Sequence, residues 1–334
     1  MKEIGDKGIP VIDSLRGLAA TSVCLYHFVC TTTGYILNQP VLDIFYFGKR
    51  GVEMFFVISG IVIPLSMMSG NYTYKLFPVF IAKRFTRIEP PYLASIIVAI
   101  IYLYVRNFIP GSAPVDMVPT LRTVLLHIGY LIPFFHNVDW INSVYWTLGI
   151  EFQYYLFLAL AFPLMIHSKF YVRIIFYALC ILPSLLNISS GLYPHWGSLF
   201  LLGICYVLML KKIIDTKEFW IVSILSATAL VFKLGWVDLI VAIITLLIIH
   251  FAPMFTSKFG KFMGKISYSL YLLHSIVGAA FINFMSHRFN QSYQKPIVIL
   301  IGLGISILSA YLFYLFIEKP SQQLSKKIKY KAEA

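Results

Sequence analysis

Residues Ile12–Phe28 read IDSLRGLAATSVCLYHF. Most of these side chains suit lipid, yet the run carries Arg16 and His27, eleven positions apart. At about 1.5 Å of rise per residue, the two stand roughly 16 Å apart along a helix axis. Eleven steps of about 100° end about 20° past three full turns, so both project from one face. Asp13 lies one turn before Arg16, on nearly the same face. Ionisable groups inside a bilayer are costly and mark functional sites. The stretch therefore predicts a membrane helix with two polar stations, Arg16 near the cytoplasmic rim and His27 past the midplane.

The rest of the chain agrees with a membrane setting. It has 334 residues, of which 59% are hydrophobic and 12% charged, with a mean hydropathy of +0.80. A soluble domain of this size needs far more charge to cover its surface. The class is all-α, a polytopic integral membrane protein. Apolar runs point to about ten transmembrane helices, near 13–34, 50–68, 91–108, 144–166, 170–190, 194–210, 218–234, 236–252, 265–286 and 295–317. The segment 118–136 is interrupted by Pro119, Arg122, His127 and Pro133 and reads as re-entrant or interfacial. With both termini cytoplasmic, most of the 27 basic residues fall on the cytoplasmic side, as the positive-inside rule requires. The net charge of +13 is then an orienting charge, and a nucleic-acid partner is rejected. Residues 1–334 read as one membrane domain, with 318–334 a basic cytoplasmic tail. No cleavable signal is evident. Cys24, Cys30, Cys180 and Cys205 lie in apolar runs and read as small hydrophobes, and no residue spacing suggests a metal.

Further polar groups interrupt other spans. Glu151, in SVYWTLGIEFQYYL (143–156), falls at a depth similar to His27 on an antiparallel helix. It is a candidate partner for that imidazole, able to orient it for proton abstraction; the plainer reading is a structural hydrogen bond. Glu53, in GVEMFFVISGIVI (51–63), lies nearer the outer rim. In the same run Ser59 has no evident base, and Gly60 suits close helix approach. Lys83, Arg84 and Arg87, in FIAKRFTRIEPPY (80–92), precede the third span, with Arg84 and Arg87 on one helical face. Paired arginines suit phosphate, although positive-inside charge or contact with lipid headgroups gives the same pattern. ISYSLYLLHS (266–275) carries Ser267, Tyr268, Tyr271 and His274, and a lone histidine among aromatics is more often a satisfied core residue. His127, His136, His167, His195, His250 and His287 fall near span ends, within reach of water. Trp140, Trp196 and Trp236 read as interfacial belt residues.

Taken in order, IDSLRGLAATSVCLYH, GVEMFFVISG, KRFTRIEPPY, YWTLGIEFQYYL and GKISYSLYLLH resemble the membrane-bound acyltransferase family 3 over nearly the whole chain. That resemblance implies transfer of an acyl group, usually acetyl, from cytoplasmic acyl-CoA to a sugar of a surface polysaccharide such as lipopolysaccharide O-antigen, or to a lipid-linked glycan, at the bacterial inner membrane. It implies His27 as the essential histidine with Arg16 as its partner, Arg84 and Arg87 at the CoA phosphates, and acetyl-CoA as co-substrate; depth adds Glu151 as the second catalytic residue, the cytoplasmic rim adds Arg16 to the donor site, and no metal is expected. Asp13, Glu53, Ser59, Trp146, Tyr268 and His274 stand as supporting residues. Many members have aspartate at Glu53, a second glutamate at Phe152 and a bulky aromatic at Leu93. Some carry a fused extracytoplasmic esterase-like domain; this chain has no room for one, which leaves the acceptor to the membrane domain. A proton-coupled exporter of glycan or lipid is the alternative that intramembrane His, Glu and Arg also suit.

Overall fold

A computed structural model describes residues 9–32, 34–106, 108, 119–135 and 137–329. The first eight residues, positions 107 and 109–118 of the expected outer loop, His136 and the last five residues of the expected tail lie outside the described residues.

Among the described residues the chain is helical throughout. In order come α1 (Val11–Tyr26), α2 (Gln39–Tyr46), α3 (Gly51–Ser69), α4 (Phe77–Arg106), α5 (Leu121–Ile128), α6 (Trp146–Met165) and α7 (Phe170–Leu185). Then follow α8 (Tyr193–Leu210), α9 (Thr216–Lys233), α10 (Trp236–Phe251), α11 (Lys258–His274), α12 (Ala280–Ser286), α13 (Lys295–Phe313) and α14 (Lys319–Lys327). Starts are chemically marked. Asp215 accepts from Glu218 N and Ser257 from Gly260 N, while α8, α13 and α14 place proline in their first turn. Both devices settle backbone donors that a helix start leaves unpaired.

Six of these helical segments are long and apolar enough to cross a membrane: Gln39–Ser69, Tyr74–Arg106, Trp146–Met165, Tyr193–Leu210, Lys258–Ser286 and Lys295–Lys327. The sequence pointed to about ten, and the difference has two causes. α7 and α10 are apolar but only 16 residues each. α1 carries Asp13, Arg16 and, at its end, His27, while α9 carries Lys217, Glu218 and Lys233. The protein is an all-α polytopic membrane protein with six clear spans. The segment 319–327 of the expected tail is helical and packs on α4, where Ser325 Oγ donates to Lys83 O at 2.7 Å.

α8 lies at the centre, packed by α3, α7 and α9 and buried on nearly every side. A Cβ on Gly60 would run into the Phe200 carbonyl, and one on Gly203 into the Val57 carbonyl, so α3 and α8 touch backbone to backbone. Small residues permit this contact in lipid. Phe56, Tyr154 and Phe200 stack beside it. Against α11, α1 packs just as closely, since a Cβ on Gly264 would meet Asp13 carbonyl. That seam decides which side chains can reach His27.

Two surface expectations change in the fold. Trp196 is buried, its Nε1 donating to Ser190 O at 2.8 Å, and so is no belt residue. His127 is fully buried: Nδ1 donates to Thr123 O at 2.7 Å and Nε2 accepts from Ile141 N at 2.9 Å. Protein, not water, satisfies that ring.

Candidate active site

His27 opens a π-helical turn, His27–Thr31, at the end of α1. A second π turn, Ser275–Ala279, directly follows His274 at the end of α11, and the two turns pack together. Such wide turns recur at functional sites because they redirect side chains out of the regular helical register. Here they bring the two imidazoles to a centroid distance of 4.9 Å. His27 Nδ1 lies 2.9 Å from Val23 O and 3.1 Å from His274 Nε2. His274 Nδ1 lies 3.1 Å from Leu270 O.

These contacts fix the tautomers. A carbonyl oxygen only accepts, so His274 Nδ1 carries hydrogen and donates to Leu270 O. Its Nε2, in the neutral ring, is then a bare acceptor. His27 Nδ1–H is shared between Val23 O and His274 Nε2, which leaves a lone pair on His27 Nε2. That nitrogen can take a proton, and the resulting imidazolium keeps two acceptors at Nδ1. The partner beside His27 is therefore His274, where depth had pointed to Glu151. Among the described residues no carboxylate lies within ion-pair distance of His27.

Next to this pair lies a partly open cavity of about 100 Å³. Arg16 from α1 and Arg84 and Arg87 from α4 converge on it, with Ser59 and Glu151 on another wall. Arg84 is buried, with its guanidinium near the Phe80 and Tyr155 rings and its Nε unpartnered. Among the described residues, none of the three arginines has a carboxylate within ion-pair distance. Cations gathered inside a helix bundle without such partners cost several kcal/mol each unless an anion joins them. Glu151 accepts from Tyr155 OH and, at 3.4 Å, from Ser59 Oγ. Tyr271 lines the cavity, bonded to Thr147 at 2.8 Å, and its ring lies 5.9 Å from that of His274. The histidine pair thus sits one aromatic ring beyond the cavity wall.

The family model described as an acyltransferase domain matches residues 9–315. The chain belongs to acyltransferase family 3. O-acetyltransferase OatA of Staphylococcus aureus (strain NCTC 8325 / PS 47) is 27% identical over 366 residues, covering 93% of this chain and 57% of that protein. The same figures hold for the OatA protein of strain COL. A protein of Acidianus two-tailed virus, named as a candidate acetyltransferase, is 28% identical over 293 residues, covering 80% of this chain and 83% of its own length. The chain spans little more than half the length of the staphylococcal relatives. No solved structure is significantly similar to it.

Within this acyltransferase fold, the residues singled out from sequence divide into groups. Arg16, Arg84, Arg87, Ser59, Glu151 and Tyr268 meet on the cavity, Tyr268 OH donating to Ile88 O at 3.0 Å. His27 and His274 form the pair behind Tyr271. Asp13 is exposed and stays outside. Glu53 is buried on α3 among Arg50 and Asp238. Trp146 lines a separate pocket with Trp140 and Pro133.

Glu318 was not legible. It ends a third π turn, Tyr314–Glu318, faces the cavity, and is held by Ser269 N (3.2 Å), Ser269 Oγ (2.5 Å) and Gln322 Nε2 (2.8 Å). In sequence it looks like the first charge after a span. Its signal was the proline two residues on, which starts a new helix instead of ending the chain's order. Tyr155, at i+4 from Glu151, could have been found from helical spacing.

Proposed function

We propose that this protein moves an acetyl group from cytoplasmic acetyl-CoA to a sugar hydroxyl of a surface polysaccharide or lipid-linked glycan at a bacterial inner membrane. The observation that carries the reading is the convergence of Arg16, Arg84 and Arg87 on a cavity beside the His27–His274 pair, with no carboxylate within ion-pair distance of them among the described residues. Guanidinium groups match phosphate geometry with two parallel hydrogen bonds. The phosphates of an acyl-CoA supply close anionic partners for these guanidiniums, and its acyl arm points along the cavity toward Tyr271. The printed names of the staphylococcal relatives agree with O-acetyl transfer. Both termini lie on the cytoplasmic side in this reading, which puts the arginines near the donor.

His27 Nε2 takes the proton of the acceptor hydroxyl as that oxygen attacks the thioester carbonyl. The carbon–sulfur bond breaks, and the imidazolium returns the proton to the CoA sulfur, giving ester and free thiol. His274 positions His27: its Nε2 accepts from Nδ1–H throughout and stabilises the charge that appears on His27. Glu151, held by Tyr155 and Ser59, acts from the cavity wall on the acyl group or acceptor. The test is acetyl incorporation into glycan by membranes carrying the wild type or His27→Ala, each verified to insert. Incorporation should vanish in the variant; wild-type transfer by it would overturn the assignment. Movement of glycan in vesicles free of acetyl-CoA would favour the exporter instead.

A further inference from the structure

Away from the cavity, Arg50, Glu53 and Asp238 form a charged cluster where the turn before α3 meets α10. Arg50 Nη1 donates to Glu53 Oε1 at 3.1 Å and, more closely, to Asp238 Oδ1. Glu53 is 5% exposed and Asp238 fully buried. Their second oxygens, Glu53 Oε2 and Asp238 Oδ2, are buried and have no hydrogen-bond partner. Both carboxyls are brought side by side on the same Arg50 nitrogen. Two carboxylates against one guanidinium leave an uncompensated buried negative charge, which a membrane interior does not tolerate. Two facing acceptors also leave both oxygens unsatisfied.

We infer that Glu53 and Asp238 bind one proton between them, so that one is a carboxylic acid and the other the carboxylate paired with Arg50. One proton makes the triad neutral and turns one of the orphaned carboxyls into a donor. Among the described residues no third His, Cys, Asp or Glu joins them to build a metal cage. A proton is the ligand that needs only two oxygens. The triad ties α10 to the turn Phe47–Arg50, which packs on α1 below His27, so the proton helps seat the helix that presents His27.

The experiment compares purified wild type, Glu53→Gln, Asp238→Asn and the double variant. Wild type should show a protonated-carboxyl infrared band that either single substitution removes. Each single amide preserves neutrality, because Asp238 or Glu53 remains to pair with Arg50, so folded yield should stay within roughly twofold. The double variant strands Arg50, and its folded yield should fall at least about tenfold. A wild type lacking the band, single variants as damaged as the double, or stabilisation of wild type by sodium ions would each overturn the inference.

Discussion

Replacing His274 with alanine isolates the step at which the structure departs from a depth-based reading. The variant removes the acceptor 3.1 Å from His27 Nδ1 but leaves Val23 O, 2.9 Å away on the same side. His27 therefore keeps its tautomer and loses one of two acceptors. A hydrogen bond to a charged group contributes about 1.5–3 kcal/mol. With Val23 O still in place the lower half of that range applies, or roughly 10–45-fold in rate. The loss falls on the step in which His27 becomes positively charged, so kcat drops. His274 is not on the cavity wall, so KM for the donor holds. Transfer of labelled acetyl from acetyl-CoA into glycan, measured over donor concentration, separates the two. His274→Gln, whose side-chain oxygen can accept from Nδ1–H, should recover part of the rate. An unchanged kcat, or a raised donor KM at constant kcat, would refute the relay.

Three further outcomes follow from the same coordinates. Glu151→Gln keeps an oxygen for Tyr155 and Ser59 and should cost less than about tenfold in kcat, less than His274→Ala; the reverse order in the same assay would restore Glu151 as the partner of His27. Gly60→Leu forces a side chain into the Phe200 carbonyl and should destabilise the protein by about 3 kcal/mol, read as a lower melting temperature in detergent; an unshifted melt would mean that α3 and α8 are not in backbone contact. Burial holds the His127 imidazole below its usual pKa near 6.5, against the opposing pull of its bond to Thr123. The unfolded chain then binds more protons below that value, so stability should fall as pH drops through about 6.5 and be retained above it. His127→Gln should flatten that slope in pH-dependent melts, and an equal slope in the variant would assign the effect elsewhere.

Much of the site was legible because it obeys one-dimensional rules. Spacing of i, i+3 put Arg84 and Arg87 on one face, and both line the cavity; helical arithmetic put Arg16 and His27 on one face too, yet Arg16 lines the cavity and His27 does not. Depth could be estimated from chain direction, which placed Glu151 level with His27. What no spacing reveals is which helix lies alongside. The Gly17–Gly264 seam sets α11, not α6, against α1, and π turns that begin at His27 and just after His274 then turn the two rings together. Glu318 was hidden for a related reason: a charge after an apolar run looks like a span end, while the structure carries the helical path on through Lys327. The number of spans was overcounted because apolar content was read without regard to length. Two helices of 16 residues, and two that carry several polar groups, were ranked with the long ones.

The most direct test of the account is equilibrium binding of coenzyme A to the purified full chain by calorimetry. Arg84→Gln/Arg87→Gln should weaken binding by about 100-fold or more, since each guanidinium–phosphate contact contributes about 1.5–3 kcal/mol. His27→Ala, behind Tyr271 and clear of the arginines, should bind as wild type does. Equal affinity in the double arginine variant would contradict the claim that this cavity holds the donor.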